Sequence, residues 1–132
     1  GIVQMPCPEL CCLGLDRGNI HGADSPVVVE NTRIRKEMKE DGANRKLAKL
    51  ADYVVQQILE YDKSGFEIVG MVGANRSPNC GVDTTSDRNE EISGMGLFIE
   101  EISSRLSNMD ITIPMIGLKG NDNIIERLQQ LL

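Results

Sequence analysis

The apolar positions of this chain fall into short continuous runs and longer stretches with helical spacing, and the two kinds alternate. Between Ala43 and Lys63 the apolar residues recur every three or four positions, which predicts an amphipathic helix with one buried face. Nearly continuous apolar runs at Ile2–Met5, Phe66–Val72 and Ile111–Ile116 predict strands that are covered on both faces. The pattern therefore indicates strands separated by helices.

Further helices are predicted on either side of the last strand, one introduced by Gly94 and one beginning at about Asp122. Their apolar faces comprise Phe98, Ile99, Ile102 and Leu106 in the first helix and Ile124, Ile125, Leu128, Leu131 and Leu132 in the second. The stretch Ser25–Met38 is ambiguous, because three valines favour a strand whereas Ser-Pro followed by charged residues favours a helix start. We predict a short helix from about Asn31.

Two polar segments interrupt these elements and are predicted to be loops. Gly14–Asp24 is rich in glycine and has neither a strand nor a helix period. Val82–Ser93 is rich in Asp, Thr, Asn and Glu, and it is either a lid over a site or a mobile linker.

The alternation of strands and helices predicts an α/β fold with a doubly wound parallel sheet. Right-handed crossovers place helices on both faces of such a sheet, which gives a three-layer, flavodoxin-like or Rossmann-like single domain over residues 1–132. Three strands are few for this architecture, and Gly1 begins inside an apolar run. We therefore expect a fragment that lacks an N-terminal strand and helix, and whose open sheet edge favours a homodimer.

Composition and charge narrow the class of protein. The chain is 40% hydrophobic but only 3% aromatic, so its core must be aliphatic. A net charge of −6 gives no general attraction to nucleic acid, whose binding depends on Lys and Arg neutralising phosphates. No apolar run approaches the roughly 18–20 residues that span a bilayer, and no signal peptide is recognisable. We expect a cytoplasmic protein with neither a nucleic-acid nor a membrane partner.

The four cysteines provide the candidate chemistry. Cys11 and Cys12 are adjacent and therefore poorly placed for two disulfides, and the α/β pattern suggests a reducing compartment. Metal or cluster ligation is the more specific explanation for the four cysteines. Cys7 and Cys80 each follow a predicted strand, and parallel strands bring the loops at their carboxyl ends to one edge of a sheet. The sequence thus predicts that Cys7 and Cys80 meet in space, although an inert cysteine in a turn is the alternative for Cys80.

Other residues near these cysteines have more than one possible role. Glu9 is either a general acid or base beside a metal, or a solvated or helix-capping carboxylate. One of Cys11 and Cys12 is expected to be a small core residue. The chain has neither a four-cysteine iron–sulfur run nor the paired C-x-x-C of a zinc ribbon. Spacing alone therefore supports a two-cysteine site and leaves a third ligand open.

Two motifs carry a resemblance to a known family. Cys7-Pro8-Glu9 early in the chain and Ser77-Pro78-Asn79-Cys80-Gly81 later resemble the paired motifs of the thiouracil desulfidase family, formerly a domain of unknown function. The resemblance is strongest to a branch of related desulfidases in which Val82-Asp83-Thr84-Thr85 follows the second motif, and it covers most of the chain.

The resemblance implies a [4Fe–4S] cluster held by three cysteines, with one iron free to take sulfur from a thiolated pyrimidine base. Cys7 and Cys80 match two of the ligands, whereas the third family cysteine lies near the end of a first strand that this sequence lacks. The resemblance further implies that Glu9 and Ser77 handle protons in a hydrolytic desulfuration, with the carboxyl group as the acid or base. An open iron acting as a Lewis acid beside a carboxylate agrees with this role.

Two other functional classes stay open at the level of sequence. The chain could be a zinc-binding or small-molecule-binding α/β module without redox chemistry, or a sulfur carrier with Cys80 as its nucleophile. Arg17 and Arg76, one in each cysteine loop, either hold an anionic substrate or lie free on the surface. His21 is a ligand or a solvent-facing side chain, and Gly117–Asn121 is an anion-binding loop or a plain turn.

Overall fold

The computed structural model describes residues 1–132 as a mixed α/β chain with five α-helices and four short strands. The helices are α1 (Pro8–Leu13), α2 (Val27–Met38), α3 (Asp41–Lys63), α4 (Leu97–Asn108) and α5 (Ile124–Gln129), with a 3-10 turn at Gly22–Asp24. The strands are β1 (Met71–Ala74), β2 (Thr84–Asp87), β3 (Glu90–Ser93) and β4 (Met115–Leu118).

The strands form two separate pairs. β1 and β4 are parallel, with Met71 opposite Met115 and Ala74 opposite Leu118, and α4 lies between them in the chain. β2 and β3 form an antiparallel hairpin. Its turn residues Arg88 and Asn89 have φ of 51° and 61°, the left-handed pair that tight hairpins favour. The α/β class is confirmed. The strands do not form the one parallel sheet, covered by helices on both faces, that the sequence predicts.

The predicted strand at Ile2–Met5 is wrong. These residues form no strand, and the Ile2 side chain is 98% exposed. A strand requires a neighbour that completes its backbone hydrogen bonds, and no described segment pairs with this one. Phe66–Gly70 also lies outside β1, because pairing with the other strand begins only where the Met71 N–H donates to the Pro114 carbonyl, at 2.9 Å.

The core forms where α3 and α4 pack together, as the helical periodicity predicts. The buried face of α3 includes Leu47, Ala51, Val54, Val55 and Ile58. All four predicted face residues of α4 are buried, and Phe98, Ile99 and Ile102 are fully inaccessible. In contrast, α5 buries none of its residues, and Ile125 is 72% exposed. The predicted inward face of α5 is therefore wrong, since β4 is the main element that α5 contacts.

Two further segments differ from the sequence prediction. Helix α2 begins at Val27, four residues before the predicted Asn31, because Pro26 is compatible with a helix start and the valines continue into the helix. Val82–Ser93, predicted as a loop, contains the β2–β3 hairpin. The hairpin is fastened to α2, since the Arg35 guanidinium donates to Thr85 Oγ1 at 3.2 Å and the Asn89 N–H donates to Thr32 Oγ1 at 3.0 Å. None of the helices combines the length and apolar character required to cross a membrane.

Candidate functional site

The loop that carries Cys80 folds back against the strand it leaves. The Ala74 N–H at the end of β1 donates to the Cys80 carbonyl at 2.8 Å. This approach is possible because Gly73 has no side chain, since a Cβ there would lie 2.3 Å from the Cys80 carbonyl oxygen. Cys80 is therefore held beside β1 by backbone contacts that a larger residue at position 73 would block.

Helix α4 holds the same loop from the other side. The N–H groups of Leu97 and Phe98 donate to the carbonyls of Pro78 and Asn79 at 2.9 Å and 3.0 Å. The first amides of a helix lack partners within the helix, so the cysteine loop satisfies them. The geometry also requires Gly96, where a Cβ would lie 2.3 Å from the carbonyl carbon of Asn79.

Ser77 organises the tip of the loop. Its Oγ accepts hydrogen bonds from the Asn79 N–H at 3.2 Å and the Cys80 N–H at 2.9 Å. Such local side-chain acceptors fix a turn without regular secondary structure. The hydroxyl group therefore lies beside Cys80, which it precedes by three residues in the motif.

Cys80 has an environment that opposes a free thiolate. Burial is the largest cause, and the negative charges of Glu9 and Cys7 add to it, so that the pKa of the Cys80 thiol is raised to about 12 despite a hydrogen bond from Ser77 that lowers it. Contacts support this proximity, because Ser77 accepts from the Cys80 N–H and Glu9 accepts a hydrogen bond from the same loop. The structure therefore places Ser77 and Glu9 against the Cys80 loop, and Cys7 precedes Glu9 by two residues.

Cys7 reaches this region from a helix and not from a strand. It is the N-cap of α1, Pro8 occupies the first helical position, and the Leu10 N–H donates to Cys7 Sγ at 3.5 Å. The Arg17 guanidinium also donates to this sulfur at 3.7 Å. The side chain itself is exposed.

Glu9 connects the two cysteine segments. Its carboxylate accepts from Arg17 Nε at 3.4 Å and from Asn79 Nδ2 at 3.2 Å, and it is only 16% exposed. Arg17 belongs to the loop after α1, whereas Asn79 belongs to the Cys80 loop. The carboxylate is therefore held in one orientation by both halves of the site.

Asn79 is a site residue that the sequence did not single out. It is fully buried, and its Oδ1 has no hydrogen-bond partner. Buried acceptors without partners are rare and costly, and they concentrate where a protein uses them. The available signal was its position between Pro78 and Cys80, where a polar side chain interrupts a tightly turned loop.

The remaining candidates lie apart from this cluster. Cys12 is 7% exposed in the core, where burial raises its pKa. Cys11 is exposed in a shallow recess beside Lys46, Lys49, Leu50 and Tyr53. His21 is exposed and faces Asp24, with 3.6 Å between its Nδ1 and the carboxylate. No group of three or more His, Cys, Asp and Glu side chains in residues 1–132 is arranged to hold a metal ion.

Comparison with known proteins gives one distant relative. The chain is 26% identical over 123 residues to the uncharacterized protein MJ0003 of Methanocaldococcus jannaschii, and the match covers 92% of this chain. The chain spans 64% of the length of that relative. No family model matches the chain. No solved structure matches it either.

Proposed function

We propose that this chain carries the ligand and proton-transfer residues of an iron–sulfur-dependent desulfidase. The reaction is the hydrolytic removal of sulfur from a thiolated nucleobase or a related small thio-compound, in which the oxygen of water replaces sulfur on carbon and the sulfur leaves as sulfide. The observation that carries the proposal is the hydrogen bond from Asn79, next to Cys80, to Glu9, whose partner Arg17 also donates to Cys7 Sγ.

The chemistry of the donor set suits a cluster with thiolate ligands. Cys80 is a half-buried thiol near Glu9 and Cys7, and an electron-poor metal centre would offset the cost of placing negative charge there. Cys7 and Cys80 would hold two corners of the cluster. Cys12 is committed to the core. Cys11, one helical turn after Cys7 and exposed, would have to leave its recess beside Lys46 and Lys49 to serve as a third ligand.

A bound cluster would supply a Lewis-acidic iron that accepts the sulfur of the substrate. Glu9 would take a proton from the attacking water on its carboxylate, because Arg17 and Asn79 already fix the orientation of that group. Ser77 would orient the Cys80 end of the site through its hydroxyl group. We further propose that the parallel β1–β4 pair is the centre of a flavodoxin-like sheet.

The raised pKa of Cys80 bears on the sulfur-carrier alternative. A thiol with a pKa of about 12 is protonated at neutral pH, and thiolates are the reactive nucleophiles. Without a metal, Cys80 is therefore poorly suited to attack a substrate, which favours the ligand role.

The test of the ligand assignment is iron and acid-labile sulfide analysis of protein purified without oxygen. We expect about four iron and four sulfide per chain in a [4Fe–4S] protein, with loss of both in Cys7→Ser and Cys80→Ser. Cys12→Ala is the matched control and should keep its iron. Stoichiometric zinc in place of iron would overturn the proposal in favour of the zinc-binding alternative, and full iron retention in Cys80→Ser would overturn the assignment of Cys80 as a ligand.

The role of Glu9 is tested separately by sulfide release from 2-thiouracil. Glu9→Gln should keep its iron and lose roughly 100-fold or more in rate, the range for removing a general acid or base. A variant with unchanged rate would contradict the assigned role while leaving the ligand assignment intact.

A further inference from the structure

A second concave site lies at the carboxyl ends of the two parallel strands. It is a cleft of about 670 Å³ lined by residues 73–76, 118–122 and Ile124. Small ligands of open α/β sheets bind outside the carboxyl ends of strands. None of the four residues assigned to the desulfidase chemistry lines this cleft, so the cleft requires an explanation of its own.

Arg76 supplies an uncommitted positive charge to the cleft. Its side chain is exposed and forms no hydrogen bond or ion pair within residues 1–132. Glu91 lies near enough for the charge of Arg76 to act on it, but the Glu91 carboxylate is already bound by Lys119 Nζ at 2.5 Å and Thr84 Oγ1 at 2.7 Å. The guanidinium donors of Arg76 are therefore free for a ligand.

The β2–β3 hairpin holds the backbone of Arg76 at the edge of the cleft. Its φ is 74°, in the left-handed region where side chains are strained and glycine is preferred. The conformation is imposed by the hairpin, since the Arg76 N–H donates to both oxygens of Thr84 at 3.1 Å and 3.0 Å, and Ser86 Oγ donates to the Arg76 carbonyl at 2.6 Å. The position of Arg76 in the cleft is therefore fixed by the fold.

The opposite wall of the cleft adds further donors. The N–H groups of Gly120 and Asn121 donate to no protein atom, and Lys119 adds a positive charge that its ion pair with Glu91 partly neutralises. The carboxylate of Asp122 is turned to its own loop, where it accepts from the Lys119 N–H at 2.9 Å. Cationic side chains with free backbone amides are the recurring elements of phosphate sites.

We propose that this cleft binds a phosphate group, either as the free anion or as a phosphate ester, with Arg76 as its anchor. The planar guanidinium matches phosphate through two parallel hydrogen bonds. Gly120, where nothing lies within 4 Å of an added Cβ, leaves room for the ligand to approach the backbone. This site does not depend on the desulfidase assignment.

The experiment titrates the protein with inorganic phosphate, uridine 5′-monophosphate and uridine, using calorimetry. The key variant is Arg76→Gly, which removes the guanidinium and also suits the left-handed backbone, so it should melt at the same temperature as the wild type or higher. Arg88→Gly is the matched control, because Arg88 is also exposed and has a positive φ of 51° but lies outside the cleft.

We expect saturable binding of phosphate, of the monophosphate or of both, weakened at least tenfold in Arg76→Gly and unchanged in Arg88→Gly. Binding of inorganic phosphate identifies a site for the free anion, whereas binding of the monophosphate alone identifies a site for an ester. The proposal fails if neither compound binds saturably, if uridine binds as tightly as its monophosphate, or if the two variants weaken binding equally.

Discussion

The two halves of the candidate site are built in opposite ways. The Cys80 loop is closed between β1, the β2–β3 hairpin and the start of α4, with Asn79 fully buried. The Cys7 half follows a segment with no secondary structure and caps a six-residue helix. A thiol in the first half is fixed by the fold, whereas a thiol in the second is exposed and held by a few local contacts.

This difference indicates how such a site could accept a cofactor. A helix of six residues has little stability of its own and depends on packing, and α1 packs against α3. Under the proposed function, the Cys80 half would present one half-buried ligand that the fold already holds in place, and the Cys7 half would adjust around it. The comparison can be tested by changing each half alone.

The largest expected effect comes from Gly96→Ala, which targets the preorganised half. The added methyl group would lie 2.3 Å from the Asn79 carbonyl carbon, so α4 and the cysteine loop must separate. We expect a loss of about 3 kcal/mol in the free energy of unfolding, measured with urea. The matched control is Gly42→Ala in α3, where nothing lies within 4 Å of the added carbon.

Gly42→Ala should leave the stability unchanged or raise it by about 0.5–1 kcal/mol, because alanine favours a helix over glycine. Equal stabilities for the two variants would show that the contact between α4 and the cysteine loop does not hold this half of the site together.

The next effect in size concerns the reactivity of the two thiols in metal-free protein. The pKa of Cys80 is about 12, so at pH 8 the thiol is protonated, and its alkylation rate should keep rising with pH towards that value. Cys7 is exposed and accepts hydrogen bonds from Leu10 and Arg17. We expect iodoacetamide to modify Cys7 at least tenfold faster than Cys80 at pH 8, as measured by peptide mass spectrometry.

Unfolding in urea provides the reference for this measurement. Both thiols should then react at similar rates, because the burial that raises the pKa of Cys80 is lost. Native Cys80 reacting as fast as Cys7 would contradict the contrast between the two halves.

The same contrast explains which parts of the fold the sequence could predict. The buried faces of α3 and α4 follow from periodicity, which is a property of the local sequence. The failures at Ile2–Met5 and α5 have a different cause. Both segments are apolar, but a strand or an inward helix face also requires a neighbouring surface, and periodicity carries no information about that surface.

For the candidate site, the sequence identified the residue types, but it did not predict correctly which element carries each of them. Cys80 follows β1, as the sequence predicts, whereas Cys7 is a helix N-cap and not the end of a strand. Pro8 is compatible with a first helical position, but the preceding apolar residues favoured a strand. The contact between Asn79 and Glu9 joins segments 70 residues apart, so only the folded chain reveals it.

The smallest effect is expected for that contact, which is the direct link between the two halves. Asn79 Nδ2 donates to the Glu9 carboxylate at 3.2 Å, and a partly buried hydrogen bond to a charged group contributes about 1–2 kcal/mol. A double-mutant cycle of Asn79→Ala and Glu9→Ala, measured by urea unfolding, should give a coupling energy of about 1 kcal/mol. A control cycle pairs Asn79→Ala with Asp52→Ala on α3, a residue of the separate Arg105 ion pair, and should give none. A coupling near zero for Asn79 and Glu9 would mean that the carboxylate is oriented by Arg17 alone, and that the Cys80 loop does not control the group proposed to move the proton.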